Sequence, residues 1–196
     1  MFFKKVGAPD QRLIRSFRFL SQSSRAITLD VWLEYIPPTT LNEMQEQEQR
    51  RIVGTRSYSQ VEELSALQKA TQQIWHSILA SRVTKIEGMT PRKMAALTSV
   101  HADEVAKVGL DTPIALDPSH TKEIGPDFRA AWDVPDEIKT EGQLARANIL
   151  YLINASDDFG NFVAKVVKDV SFFQDADWEK QVKNSAPGAA TNSAAA

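Results

Sequence analysis

The sequence predicts an α+β protein: a mostly helical single domain with an N-terminal β-hairpin and a disordered, Ala-rich C-terminal tail. Three observations lead to this fold class. Near the N-terminus apolar residues alternate with polar ones, as in a half-buried strand. Farther along the chain apolar residues recur every three or four positions, as on one face of an α-helix. The last residues are small and of low complexity, which is typical of a disordered end.

The composition of the chain excludes several kinds of functional site. The chain has 196 residues, 42% of them hydrophobic and 24% charged, values that are ordinary for a globular domain with its own core. Its net charge of -2 produces no strong field for nucleic acid or an anionic membrane. The chain has no cysteine, which excludes disulfides, a thiol nucleophile and cysteine-ligated metals. No apolar run approaches the roughly 20 residues that cross a bilayer, so we expect no membrane partner.

The domain organisation follows from local composition. We expect residues 1–12 to form a flexible basic arm, residues 13–180 to form the single globular domain, and residues 181–196 to form the disordered tail. Within the domain, residues 110–142 contain prolines and glycines at intervals that prevent long helices or strands. We therefore interpret residues 110–142 as an irregular insertion.

The N-terminal part of the domain predicts two strands. The first covers residues 13–20 and the second residues 25–36, joined by a Ser- and Gln-containing connection. In the second, Ile27 to Tyr35 alternate between apolar and polar side chains, which predicts one face on a core. Pro37 and Pro38 end this strand, because proline lacks the N–H that a strand ladder needs.

After the second strand, several sequence patterns that are typical of helix starts predict helices. Thr40 with Glu43 forms a capping-box pattern that predicts a polar surface helix to about residue 53. A second such pattern, at residues 59–62, opens the longest helix, which extends to about residue 83. Residues 83–89 predict a short strand. Thr90 followed by Pro91 is an N-cap with proline at the first helical position, and the helix extends to about Thr98.

The segment from Ala145 to Phe173 predicts two short helices that meet at a polar break. Ser156 or Asp157 is placed to accept a hydrogen bond from the first N–H groups of the second helix. One apolar stripe runs along that second helix and another along the long central helix. The stripe on the second helix contains Phe159, Phe162, Val163, Val166 and Val170. The stripe on the central helix contains Ile74, Trp75 and Ile78.

Two functional interpretations other than protein binding arise from polar residues. His120 with Asp117, Asp127 and Asp133 raises the hypothesis of a hydrolase, but no recognised ligand or catalytic spacing accompanies them. We therefore assign no catalytic residue, no metal site and no cofactor. The N-terminal end is locally basic, which raises the hypothesis of a nucleic-acid contact. The aromatic stacking residues of single-strand binders are absent there, and we favour a solvated face. The basic residues are Lys4, Lys5, Arg12, Arg15, Arg18 and Arg25.

Three segments together resemble the tail assembly chaperones of long-tailed bacteriophages. They are VWLEYIPPTTLNEMQEQEQRR, IWHSILASRVTKIEGM and ARANILYLINASDDFGNFVAKVV. They are similar to that family's strand with a capped helix, its central helix ending in a Gly-containing segment, and its closing helix pair. In the third segment the matching positions are Asn148, Leu152, Ser156, Phe159 and Phe162. The chain differs in the long segment 110–142 and in having Ile86 at the place of the family's central tryptophan.

The resemblance implies a protein without enzymatic activity. Its main partner is the tape measure protein, bound during tail morphogenesis in the cytoplasm of the host cell, with the tail tube protein and self-association as further candidates. An apolar helix face can bind a partner helix, so the candidate partner-binding residues are those of the two stripes. They are Ile74, Trp75, Ile78, Phe159, Phe162, Val163, Val166 and Val170. The alternative is a structural virion component of the connector or baseplate type.

Overall fold

The computed structural model describes residues 13–22, 27–53, 60–99 and 109–174 of the chain. The predicted arm, the predicted tail and Ser59, the first residue of the second capping box, lie outside these residues. The elements follow one another in this order: β1 (Ile14–Leu20), β2 (Thr28–Glu34), α1 (Pro38–Val53), α2 (Gln60–Arg82), β3 (Val83–Glu87), α3 (Pro91–Thr98), α4 (Pro126–Trp132), α5 (Glu141–Ala155), α6 (Asp157–Lys168) and a 3₁₀ turn (Val170–Phe172). This order confirms the α+β class and the N-terminal hairpin.

The three strands form one antiparallel sheet in the order β1-β2-β3. Val31 in the central strand lies opposite Phe17 of β1 and Ile86 of β3. The predicted alternation is confirmed in β2, where Leu29, Val31 and Leu33 are buried. A register shift between Trp32 and Leu33 interrupts the pairing with β3.

The helices cover one face of this sheet. The predicted stripe of α6 packs on it, with Phe159, Val163 and Val167 fully buried. The N–H of Ile36, just beyond β2, donates a 2.8 Å hydrogen bond to the carbonyl of Val167. Sheet and α6 are therefore joined by apolar packing and by the backbone.

The edge of the sheet along β3 is covered by a later segment of the chain. At β3 the N–H of Ile86 donates to the carbonyl of Leu116 at 3.0 Å, and the N–H of Ile114 donates to the carbonyl of Met89 at 3.2 Å. The amide of Asn148 on α5 holds this covering segment by a 3.2 Å bond to the carbonyl of Ala115. The predicted insertion 110–142 thus contributes to the sheet region, and the β3 edge is covered.

The helix starts show where local signals succeed and fail. Thr90 accepts a hydrogen bond from the Lys93 N–H, as predicted. Of the two residues predicted to cap α6, Ser156 is the cap and Asp157 is the first residue of the helix. The Thr40 prediction is wrong, because α1 begins at Pro38 and places Thr40 inside the helix. A capping box that the sequence analysis missed, Thr140 with Gln143, opens α5.

Residues 110–140 contain one helix, the seven-residue α4, and α5 begins at Glu141. Its Phe128 and Trp132 rings stack with centroids 5.7 Å apart. Arg129 donates a 2.6 Å hydrogen bond to the carbonyl of Ile138, which closes the loop after α4. Across the described ranges, every helix is too short or too polar to cross a bilayer.

Candidate functional site

A cleft of about 460 Å³ opens between β1 and the outer side of α6. Its floor is aromatic. The rings of Phe19 and Phe162 lie 5.2 Å apart, and Phe159 packs edge-on against Phe19 at 5.3 Å. Phe159 and Phe19 are buried, whereas Phe162 is only partly buried. The ring of Phe162 is therefore the aromatic part of the cleft floor that a partner can reach most readily.

Asp158 fixes the position of α6 beside β1. One of its carboxylate oxygens accepts a hydrogen bond from the Ser21 hydroxyl and another from the Gln22 N–H, each 2.7 Å long. Ser21 is buried, so part of this connection is shielded from water. Asp158 also lies in the first turn of α6, where a negative charge is favourable. Asp158 and Gln22, which both line the cleft, are thus joined by a charge-assisted contact.

The cleft wall on α6 carries polar groups at helical spacing. Asn161 and Lys165 follow Asp158 by three and seven positions and line the same cleft. Across the described residues, the side chains of Asn161 and Lys165 make no hydrogen bond or ion pair. The rim on the strand side is Leu20, which is 59% exposed. The site therefore combines an apolar floor with one amide and one cation.

Among the described residues, no strand pairs with the outer edge of β1 beside this cleft. In an antiparallel pair, residues that exchange hydrogen bonds alternate with residues whose backbone groups face away. Leu13 accepts from the Tyr35 N–H at 2.9 Å, and the Ser21 N–H donates to Ile27 at 3.1 Å. The odd-numbered residues of β1 therefore pair with β2. The backbone groups of the four even-numbered residues face outward: Ile14, Ser16, Arg18 and Leu20.

The predicted partner-binding residues divide into two groups. Ile74, Ile78, Phe159, Val163 and Val166 are buried in the core. In this conformation their side chains are not accessible at the surface. The sequence could not show this, because an apolar stripe that faces a sheet has the same pattern as one that faces a groove.

The other three predicted residues, Trp75, Phe162 and Val170, are partly exposed. The ammonium of Lys168 lies 4.0 Å from the centre of the Trp75 ring, a cation–π contact. Of the three, Phe162 lines the cleft. Partner binding by these residues stays a prediction.

The sequence analysis missed most of the cleft. Phe19, Leu20 and Gln22 come from the hairpin, and Asn161 and Lys165 come from α6. The helical spacing of the α6 residues was visible in the sequence. Nothing local shows that the end of β1 lies beside them, since the two segments are more than 130 positions apart.

The family-like motif residues have mostly structural roles. Leu152 and Phe159 are buried, Ser156 caps α6 and Asn148 holds the segment over the β3 edge. The remaining motif residue, Phe162, lines the cleft. The motif therefore contains four residues that shape this region and one that borders the cleft.

The histidine and aspartates of the hydrolase hypothesis do not assemble as one group. Asp127 and Asp133 lie at the start and just after the end of α4. His120 lies 3.9 Å from an oxygen of Asp117 and 3.6 Å from one of Glu141. Among the described residues, no group of three or more potential ligands is arranged to hold a metal ion.

The environment of Asp117 favours its ionised form. Partial burial by itself raises the pKa of this carboxyl group. Hydrogen bonds from the Ser119 hydroxyl and N–H, with the charges of His120 and Lys85, outweigh that effect and lower its pKa. The loop also approaches α5 closely, since a Cβ at Gly142 would lie 2.7 Å from the carbonyl oxygen of Pro118. These contacts anchor the loop to the start of α5.

The two described cations of the basic end are engaged with the protein itself. Arg15 donates to the carbonyls of Phe172 and Gln174, and Arg18 pairs with Asp30 at 3.3 Å. The other basic residues of that prediction, Lys4, Lys5, Arg12 and Arg25, lie outside the described residues. On α2, His76 hydrogen-bonds the side chain of Asn154.

Comparison of the chain with protein-family models, with curated proteins and with solved structures finds no match. The similarity to tail assembly chaperones therefore rests on the three quoted segments.

Proposed function

We propose that this protein is a non-enzymatic assembly chaperone of the long-tailed bacteriophage type, which binds the tape measure protein during tail morphogenesis in the host cell cytoplasm. The observation that carries the proposal is the position of Phe162. It matches an aromatic position of the family-like segment and lies partly exposed in the cleft beside β1. The tail tube protein is a further candidate partner.

The size and chemistry of the cleft support transient binding of an apolar client. A volume of about 460 Å³ accommodates a few side chains rather than a whole helix. Burying one large apolar side chain stabilises a complex by about 1.5–3 kcal/mol. Binding of this strength is reversible unless several sites act together. Reversibility suits a chaperone, because its client must be released into the growing tail.

The first experiment is a pull-down of the tagged protein from cells that produce the phage, with mass spectrometry of the eluate and of purified particles. We expect recovery of a long helical protein and absence of this chain from the particles. Phe162→Ala should reduce that recovery. Tyr151→Ala is the matched control, because Tyr151 is an exposed aromatic residue of α5 that does not line the cleft. Equal recovery with both variants would show that the cleft is not the client site.

A structural virion component of the connector or baseplate type is the second candidate. The observation that favours it is the outer edge of β1, which pairs with no strand in the described part of the chain and carries the exposed side chains of Ile14 and Leu20. Strand edges of this kind readily pair between copies. Pairing of β1 with β1 of a second copy would supply one two-fold contact of a larger assembly in the particle. Detection of this chain in purified particles at a fixed stoichiometry would support this candidate and contradict the chaperone proposal.

A further inference from the structure

A row of aromatic rings connects the end of the 3₁₀ turn with the cleft. Phe172 and Phe173 pack against Phe17, with ring centroids 6.3 and 5.2 Å from that of Phe17. Phe17 and Phe19 are two positions apart in β1, so they lie on the same face of the sheet, about 6.6 Å apart. Phe19 in turn forms the cleft floor with Phe162. The chain that follows Phe173 therefore starts on the cleft side of the sheet, beside the strand that borders the cleft.

The position of the backbone at this point is fixed by Arg15. Its guanidinium group donates hydrogen bonds of 3.2 and 3.4 Å to the carbonyls of Phe172 and Gln174. Residues 175–196 follow, outside the described part of the chain, and Trp178 is the one aromatic residue among them. The predicted globular domain extends to residue 180 and so includes this tryptophan.

Trp178 is close enough along the chain to reach the cleft. It follows Phe173 by five positions, and five residues of extended chain span at most about 16–18 Å. The path from the Phe173 ring to Phe19 is about 12 Å, from the 5.2 Å ring contact with Phe17 and the two-residue step along β1. The linker therefore covers the distance with length to spare.

The cleft has the chemistry that an indole ring requires. Aromatic rings pack edge-to-face or offset on one another, and Phe19 and Phe162 supply such surfaces. A buried indole N–H usually finds an acceptor. The wall on α6 provides the second carboxylate oxygen of Asp158 and the amide oxygen of Asn161, neither of which accepts a hydrogen bond from the described residues. Because the charges of Asp158 and Lys165 lie on the same wall, the cleft suits a neutral side chain with one donor.

We propose that Trp178 of the same chain occupies the cleft, with its ring on Phe19 and Phe162 and its N–H bonded to Asp158 or Asn161. A short linker keeps the local concentration of the side chain on the order of millimolar, so a weak contact suffices. The proposal goes beyond the proposed function, because it gives the cleft an occupant within the chain. A client would have to displace the indole ring, and that consequence alone rests on the proposed function.

Because the chain has no cysteine, a pair of engineered cysteines can test this contact in the full-length protein. Leu20→Cys places one thiol at the rim of the cleft, and Asp177→Cys places the other beside the tryptophan. Oxidised glutathione starts the reaction, and mass spectrometry of tryptic peptides measures how fast the disulfide forms within one molecule. We expect it to form about tenfold faster than when Trp178→Ala or Phe162→Ala is added. Both controls keep the linker length and the two cysteines unchanged.

Nuclear magnetic resonance of the full-length chain tests the environment of the indole ring itself. Each of the four tryptophans gives an indole N–H signal, and the signal lost in Trp178→Phe belongs to Trp178. We expect this signal to lie away from the position of free tryptophan and to move to that position in Phe162→Ala. The other three indole signals should keep their positions in Phe162→Ala, which establishes that the variant is folded.

Three results would overturn the proposal. The first is a disulfide that forms equally fast with and without the Trp178 ring. The second is a Trp178 signal at the position of free tryptophan in the wild-type protein. The third is a disulfide that joins two molecules rather than closing within one, which would assign the cleft to a second copy. None of these depends on recovery of a tape measure protein, so failure here is distinguishable from failure of the chaperone proposal.

Discussion

The hydroxyl of Ser21 donates a 2.7 Å hydrogen bond to the carboxylate of Asp158, joining the end of the first strand to the start of α6. The N–H of Gln22 donates to the same oxygen at the same distance. A single side chain therefore binds the N–H that follows β1, lines the cleft and joins α6 to the hairpin. It connects the stability of the fold with the geometry of the candidate binding surface.

Removal of the Asp158 carboxylate should destabilise the fold. In Asp158→Ala, the buried Ser21 hydroxyl and the Gln22 N–H lose this acceptor, and we expect a loss of about 1–3 kcal/mol in the free energy of unfolding. Urea denaturation measures it. Asp157→Ala is the control, because Asp157 is an exposed neighbour in the same helical turn. It loses only the favourable effect of a negative charge at the helix start, about 0.5 kcal/mol. Equal losses would contradict the structural role of Asp158.

Gly142 is required by the close approach of the 118–120 loop to α5. A Cβ at this position would lie 2.7 Å from the carbonyl oxygen of Pro118 and closer still to that of His120. These are backbone atoms, so a shift of the loop is needed. We expect Gly142→Ala to lower the thermal midpoint and to cost about 1–3 kcal/mol. Gly125→Ala, where nothing lies within 4 Å, should change stability by less than about 0.5 kcal/mol.

The ion pair of Arg82 with Glu34 should contribute more than the pair of Arg18 with Asp30. The first is 3.2 Å long, with side chains 16% and 10% exposed. The second is 3.3 Å long but 74% and 45% exposed. Arg82→Leu leaves a buried carboxylate without this cation, which costs about 3 kcal/mol or more. Arg18→Leu should cost at most about 0.5 kcal/mol. Chemical denaturation of the two variants would refute this ranking if their losses were the same.

Asp117 should make the stability of the protein depend on pH in the acid range. Its pKa in the folded protein is below the ordinary value of 3.8, so the folded state binds this proton less tightly than the unfolded chain does. The ionised carboxylate therefore stabilises the fold above that ordinary value, and the contribution is lost as pH falls through the folded-state pKa. We expect the difference in unfolding free energy between wild type and Asp117→Asn to be larger at pH 6 than at pH 2.5.

Ser119 provides the check on the cause of this pH dependence. Its hydroxyl and its N–H both bond the Asp117 carboxylate, the latter at 3.0 Å. Ser119→Ala removes the hydroxyl donor. In that background, the effect of Asp117→Asn on the unfolding free energy should therefore depend less on pH than it does in the wild-type background. Urea denaturation at both pH values measures this reduction. A pH dependence that is unchanged by Ser119→Ala would show that another interaction lowers the pKa.

Local chemistry predicted many of the elements correctly. Alternation in β2 identified the strand and its buried face, because period two reflects the pleat itself. The caps at Thr90 and Ser156 were recognised because their partners lie within three residues. Thr40 failed because the preceding prolines start the helix earlier, with the Leu41 N–H bonded to the carbonyl of Pro37. A capping pattern identifies a possible helix start and does not exclude one upstream.

The candidate site could be predicted only in part. The sequence identified the α6 stripe but gave the same weight to Phe159, which is fully buried, and to Phe162, which borders the cleft. Both lie on one helix face, and which of them a partner reaches depends on how far the sheet extends beneath the helix. The sequence predicted that residues 13–20 form a strand. It could not predict whether this strand lies at the edge of the sheet, because that depends on the order of the strands.

The sequence by itself determined the fold class, the hairpin, the apolar stripes and two helix caps, because each depends on residues within a few positions of one another. Only the tertiary structure decided that the edge of the sheet along β3 is covered and which stripe residues are buried. The segment around Leu116 covers the edge of β3. Beyond the end of β1, the N–H of Gln22 is bound by Asp158 of α6. Such pairings join residues that are far apart in the chain. Bringing such distant residues together costs conformational entropy, and the packing of the whole core compensates for that cost. No local sequence pattern therefore specifies these pairings.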